Sequence, residues 1–329
     1  EDRAKRREQI EATRKGMREN ALKEAVMFQR RAGEPRPCQH DEYILAGRAD
    51  GERWHPRFTY HGFRYAQVRT TGAVELKSIR SVFVHSDFAE KGSFSISDPV
   101  FTKLLDATRR SYFSNFVGIP TDCPHREKLG WQEQNHLMQY SVQYRYDMLH
   151  LYRKILCDLE NSQLENGCIP TIAPMYVEFC CGFEDTPEWG SSFIICPWYA
   201  YLWYGDRSLI EQHYPAMKRY IEYLDSRADD NIVAYGLGDW FDIGPGAPGY
   251  SQLTSNGLTA TAIYYYDVSL MARMAELLNQ NEDAEKYRQL AVEIRQSYNT
   301  HFYHADGGYY DRNSQCANAV SLYMDLVED

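Results

Sequence analysis

The hydrophobic period of this chain changes abruptly at Asp98, and that switch restricts its fold more than any other feature. Between residues 41 and 96 the runs "DEYIL", "RFTYHGFRYAQV", "SIRSVFVHS" and "GSFSIS" are short, rich in Val, Ile, Phe and Tyr, and divided by glycine and charged turns. Phe58 and Tyr60, then Phe63 and Tyr65, alternate, with His61 and Gly62 read as a bulge. The spacing predicts an antiparallel sheet of about four strands, too small to fold alone and so packed on the helical residues after it. From "SDPVFTKLL" onward the pattern is helical: Ser97 or Asp98 offers an N-cap and Pro99 a first-turn proline. Further helices are expected at about 131–144, 147–164, 189–204, 207–227, 257–279, 283–303 and 317–327. The expected organisation is a charged N-terminal helix and linker over 1–37, a β-sandwich portion over 38–97, and a helical domain over 98–329. Long loops on one side and short ones on the other predict stacked helical hairpins.

The totals exclude several classes. Net charge is −10, which makes a nucleic acid a poor partner. No run approaches the ~18 apolar residues of a membrane span. The N-terminus lacks the apolar core of a signal peptide, so either a mature form is at hand or there was never one, and cytoplasm and periplasm both stay open. Eight cysteines are scattered without a CxxC pair, which favours reduced thiols over structural zinc. His61, His125, His136, His213, His301 and His304 show no metal-ligand spacing, so neither metal nor cofactor is expected. Twenty-six tyrosines and six tryptophans exceed the needs of a plain core and suit ring-shaped ligands such as carbohydrate.

Three long loops, 117–130, 165–188 and 233–256, hold most of the Pro, Gly and Trp, and loops of that length are usually functional. In "GIPTDCPHREKLGWQEQ", Asp122 either caps a short helix or faces a ligand. If the turn is helical, Asp122 and Arg126 stand four apart, as do Glu127 and Trp131, giving two acid–partner pairs. An acid beside an indole, partly desolvated, can keep its proton and act as a general acid. Glu184, Asp185, Glu188 and Trp189 open an apolar helix, where acids are also favoured by the helix dipole alone. Asp239, Trp240 and Asp242 stand on a glycine-rich segment. Carboxylates accept from sugar hydroxyls while indoles cover C–H faces, so three such loops predict a sugar pocket and a glycosidase. A carbohydrate-binding protein without turnover and a polysaccharide lyase are the alternatives, the lyase disfavoured by the acid-rich loops.

The stretch "SNFVGIPTDCPHREKLGW" resembles the signature of bacterial α-L-rhamnosidases of glycoside hydrolase family 78. The similarity continues through "FTYHGFRYAQV", "PEWGSSFIICPWYAYLWYGD" and "GLGDWFDIGPGAPGYSQLTSNGLTATAIYYYD" and covers roughly residues 40 to 329. It implies an (α/α)6 barrel preceded by a β-sandwich portion, and inverting hydrolysis of terminal α-L-rhamnose from rhamnosides. Carried over by position, Glu127 resembles the general acid, Asp122 and Arg126 the ligands of rhamnose hydroxyls, and Trp131 a pocket wall. Trp189, Asp239 and Trp240 fall where further pocket residues are implied. Many members carry Gly-Asp just after Leu-Gly-Trp, and that Asp contacts the sugar. Here Glu133 and Gln134 stand instead, and Glu133 is expected to take part of that role. The family's general base comes from a later barrel loop than "SLYMDLVED", so the barrel is expected to be incomplete in this chain, unless Glu188 or Asp239 substitutes.

Overall fold

A computed structural model describes residues 39–125, 127–179, 182–247 and 249–328. The expected helix and linker over 1–37 lie outside the described residues. The chain forms two compact units. The described part of the first comprises 39–86, 98–117, 121–125 and 127–128; the second comprises 87–97, 118–120 and the described residues from 129 onward.

The first unit departs from the expected sheet. Among its described residues before Asp98 there is no paired strand. Ile44, Tyr65, Val82 and Phe83 all lie exposed. An alternating pattern becomes a stable ladder only when its apolar face is covered by a second layer, and among the described residues no such layer covers these side chains. Local order comes from polar staples. The Glu52 carboxylate accepts from the backbone N–H of Ala46 (3.1 Å), Gly47 (2.8 Å) and Arg48 (3.2 Å) and from the Tyr43 hydroxyl (2.6 Å). The helix α1 (Pro99–Asn115) starts as the sequence predicts: the Asp98 carboxylate accepts from Val100 N–H at 2.8 Å, and Pro99 occupies the first turn. It belongs to this first unit rather than to the later helices. β1 (Phe116–Val117) closes this part of the chain.

The second unit is mainly helical. After β2 (Ile119–Pro120) come α2 (Glu133–Gln143), α3 (Leu149–Ser162), the single turn α4 (Pro187–Gly190), α5 (Ser192–Tyr204), α6 (Ser208–Arg227), α7 (Asn256–Leu277), α8 (Asn281–Phe302), a ribbon of β3 (Tyr303–His304) against β4 (Tyr309–Tyr310), and α9 (Gln315–Tyr323). Among the described residues, this ribbon and the short strands β1 and β2 depart from the expected all-helical run after Asp98. The connections α2–α3, α5–α6 and α7–α8 are short; Gly205 ends α5 with φ +70°, and Asn279 turns α7 into α8 with φ +58°. Three helical hairpins result.

Their layering reflects composition. α5 and α7 are apolar almost all round, and such helices must be covered on every side. α5 touches α2, α3, α6 and α7, while α7 touches α4, α6, α8 and α9. α3, α6 and α8 are amphipathic and form the outer layer, with Leu156, Leu159, Leu224 and Ile294 turned inward. α2 differs, because its buried face carries Asn135, Gln139 and Gln143. The Gln139 amide donates to the Cys196 carbonyl at 3.0 Å and the Asn135 amide to Gln132 Oε1 at 2.7 Å. Among the described residues no helix is long and apolar enough to cross a membrane.

Candidate active site

In the second unit the chain ahead of α2 pairs briefly with the loop after α3. Gln132 N–H donates to Thr171 O at 2.9 Å and Ala173 N–H to Gly130 O at 3.1 Å. A side chain at Gly130 would meet Ala173 O at 2.6 Å, so only glycine lets these strands approach. Trp131 therefore stands on a fixed backbone and Glu133 opens α2 directly beyond it. Thr171 also anchors the next loop, its hydroxyl donating to Phe183 O. The third loop leans on the second: a Cβ at Gly236 would lie 3.0 Å from Pro187 Cδ, and Asn256 Nδ2 donates to Gly236 O at 2.5 Å. Asp242 spends one oxygen within its own loop, accepting from Gln252 N–H (2.9 Å) and Leu253 N–H (2.7 Å). It is a staple.

These anchors assemble an aromatic cluster. Trp131 stacks on Phe179 at 5.1 Å, Phe183 meets Trp240 edge-on at 5.1 Å, and Tyr250 lies 5.9 Å from Phe183 and 5.6 Å from Trp240. Beside it sits a group of acids. Burial pushes the Glu133 carboxyl up to about 8, helped by the charges of Glu188 and Asp239. Burial likewise pushes Glu188 up to about 7. Glu188 ionises first, and its charge then opposes Glu133. Both Glu188 oxygens are buried without a hydrogen bond of good geometry, although the Thr259 hydroxyl is near enough to ease its ionisation. Thr259 points that hydroxyl at Asn256 O, 3.3 Å away. His136, one turn after Glu133, lies 3.0 Å through Nε2 from the Glu188 carbonyl. Since a carbonyl only accepts, Nε2 carries the proton there. Burial holds that imidazole down at about 4, so it stays neutral. The Cys316 thiol is pushed up to about 12 by burial and by Asp239.

These shifts make stability depend on pH. Glu133 and Glu188 bind protons more tightly in the folded state than at the usual 4.5, whereas His136 binds its proton less tightly than at the usual 6.5. Below pH 6.5 these effects oppose each other. Above it the carboxyls act alone, so stability is lost as pH rises through about 7 and about 8. The slope is about 1.4 kcal/mol per pH unit for each group still protonated. Urea midpoints are expected to fall between pH 6.5 and 8, and Glu133→Gln to remove its share of the slope. Identical slopes in the two proteins would mean that Glu133 is already ionised at pH 6.5.

Of the residues picked from sequence, Trp131, Glu133, Asp239 and Trp240 come together here. Trp189, expected as a further pocket residue, is buried, 4% exposed. Asp122 and Glu127 lie in the first unit, on a stretch with no helix among its described residues, so the helical i,i+4 pairing and the helix-cap reading both fall away there. The stretch is held from behind: Gly62 N–H donates to Pro124 O at 3.0 Å, and Lys128 Nζ donates to Tyr60 O and sits 4.8 Å over its ring. Glu127 N–H reaches Cys123 Sγ at 3.2 Å. Arg126 lies outside the described residues. Phe183, Tyr250, His136 and Thr259 had no signal of their own in the sequence. Glu188 had one, masked by the ordinary preference of acids for helix starts.

The helical hairpins, with acids and aromatic rings on their long loops, belong to a domain of the six-hairpin glycosidase class. Residues 89–329 match the bacterial α-L-rhamnosidase six-hairpin glycosidase domain, and residues 19–85 the bacterial α-L-rhamnosidase concanavalin-like domain. The chain belongs to the bacterial α-L-rhamnosidase family. It is 30% identical over 317 residues to an α-L-rhamnosidase of Formosa agariphila, covering 88% of this chain and 32% of that protein. To one of Streptomyces avermitilis it is 30% identical over 292 residues, covering 88% and 27%. Among solved structures, the α-L-rhamnosidase of Dictyoglumus thermophilum superposes with a TM-score of 0.68 at 32% identity, over 74% of this chain and 27% of that one. The Streptomyces avermitilis α-L-rhamnosidase complexed with L-rhamnose gives 0.67 at 28%, over 74% and 23%. The chain thus spans about a third or less of the length of these relatives.

Proposed function

We propose that this chain carries the sugar-recognising part of an inverting glycoside hydrolase that releases terminal α-L-rhamnose. The observation that carries the reading is the set of Trp131, Phe183, Trp240 and Tyr250 beside Glu133, Glu188 and Asp239. Flat apolar faces next to hydroxyl-binding carboxyls suit a deoxyhexose, whose methyl and C–H faces need cover while its hydroxyls need acceptors. Glu127 serves as the general acid, Asp122 and Arg126 bind hydroxyls, and Trp131 and Trp240 cover the ring. Inversion requires a second carboxylate, about 6.5–9.5 Å from the acid, to activate water.

Calorimetric titration of L-rhamnose tests the pocket. Trp240→Ala and Asp122→Asn are each expected to bind the sugar several-fold more weakly than the unaltered chain while keeping its circular dichroism. Undiminished affinity in Asp122→Asn would remove that residue from the sugar site. Undiminished affinity in Trp240→Ala would remove the aromatic cluster. Turnover of an aryl rhamnoside would set aside the purely carbohydrate-binding alternative.

A further inference from the structure

Behind the α4 turn a buried carboxyl takes part in a hydrogen-bond chain whose protons can be counted. Asp267 is 0% exposed, in the middle of the apolar helix α7. Its Oδ2 lies 2.5 Å from Ser191 Oγ, and the same Oγ lies 2.7 Å from the Pro187 carbonyl. A serine hydroxyl has one proton, and a carbonyl oxygen can only accept. Ser191 must therefore spend its proton on Pro187 O. The Ser191–Asp267 bond is then left needing a proton from Asp267.

The surroundings agree. The other oxygen, Oδ1, is buried with no hydrogen-bond partner among the described residues. The groups that act on the carboxyl are the Ser191 hydroxyl and the buried Tyr220, and neither is a cation. An ionised carboxylate there would be unpaired in an apolar interior, which is far costlier than a neutral acid. Burial alone holds the group well above the usual carboxylate range. Pro187 O also accepts from Ser191 N–H at 2.9 Å and from the Tyr220 hydroxyl at 3.4 Å, and Gly190 leaves room for that hydroxyl, since a Cβ there would collide with it.

We infer that Asp267 is a neutral carboxylic acid acting as a positioning residue: it donates to Ser191, Ser191 donates to Pro187 O, and the α4 turn bearing Glu188 is held in place. That Glu188 serves a sugar site rests on the function proposed above. The chain of donors does not. Asp267 acts through Ser191.

Asparagine keeps a donor at this position and alanine removes it, so the two variants separate the donor from the charge. Infrared difference spectra of the full chain against Asp267→Asn are expected to show the C=O stretch of a protonated carboxyl, unchanged from pH 5 to 8. The Glu188 carboxyl, followed by carbon-13 NMR, is expected to titrate alike in the unaltered chain and Asp267→Asn. In Asp267→Ala and Ser191→Ala it should shift. L-rhamnose affinity is expected to be retained in Asp267→Asn and weakened about 10-fold in the two alanine variants, well within the about 10²-fold that a 1 Å misplacement can cost. Absence of the protonated band overturns the inference. So does a Glu188 titration in Asp267→Asn as displaced as in Ser191→Ala, and that comparison stands even where Asp267→Ala fails to fold. Failure of the unaltered chain to bind L-rhamnose, with the band and the Glu188 pattern both present, would count against the sugar reading and in favour of the donor chain.

Discussion

Glu127→Gln is expected to lower hydrolysis of a rhamnoside with a poor leaving group by about 10²–10⁴-fold, the usual contribution of a positioned acid. The amide keeps the size and one acceptor of the carboxyl but has no proton to give to the departing oxygen. A rhamnoside with an activated aryl leaving group needs little protonation and is expected to lose much less. Comparing kcat for the two substrates, in a preparation that turns both over, therefore separates an acid from a residue that only binds. Equal losses on both would assign Glu127 to binding. No loss on either would pass the role to Glu133, whose buried carboxyl keeps its proton up to about pH 8.

Phe193→Ala is expected to destabilise the second unit by about 3–5 kcal/mol, the range for emptying the site of a buried aromatic ring. Phe193 is 0% exposed on α5, and its ring meets His213 of α6 edge-on at 5.8 Å. His213 is itself fully buried, with Nδ1 2.6 Å from Glu160 Oε2 of α3. The cavity would open where three helices meet, and a buried imidazole would lose the ring that covers it. A chemical-denaturation curve with a lowered midpoint and an unchanged slope checks this. A change below about 1 kcal/mol would mean that the neighbouring side chains close the gap.

The helices of the second unit were legible because their signals are local. Pro99 after Asp98 shows the same for α1, and Ser255 before α7, Ser314 before α9 and the Gly205 stop are all written at the positions where the helices begin or end. The strands expected over 41–86 do not pair among the described residues, because alternation records which residues want cover and not what covers them. In the site, Trp131, Glu133, Asp239 and Trp240 could be picked out because tryptophan and acids on glycine-rich loops are uncommon outside binding sites. Trp189 could not be assigned from sequence, since one turn of helix points adjacent residues in different directions and its phase is set by packing. Asp267 shows the opposite failure. An acid inside "IYYYDVSLMA" breaks an apolar run and is visible, but the serine that makes it tolerable lies 76 residues away.

A buried amide of α2 bears on how the site is aimed. A helix seated by leucines can roll in its groove at little cost, because one apolar contact replaces another. α2 is seated by Gln139, whose hydrogen bond reaches a particular acceptor on α5, Cys196 O. Rolling it by a single residue, about 100°, would tear that amide from its acceptor in a place water does not reach. Glu133 rides on the first turn of that same helix, and His136 on the next position of the same face. The angular play of the acid is therefore limited by a side chain farther along the helix, as the bearing of a shaft fixes the direction of the arm mounted at its end.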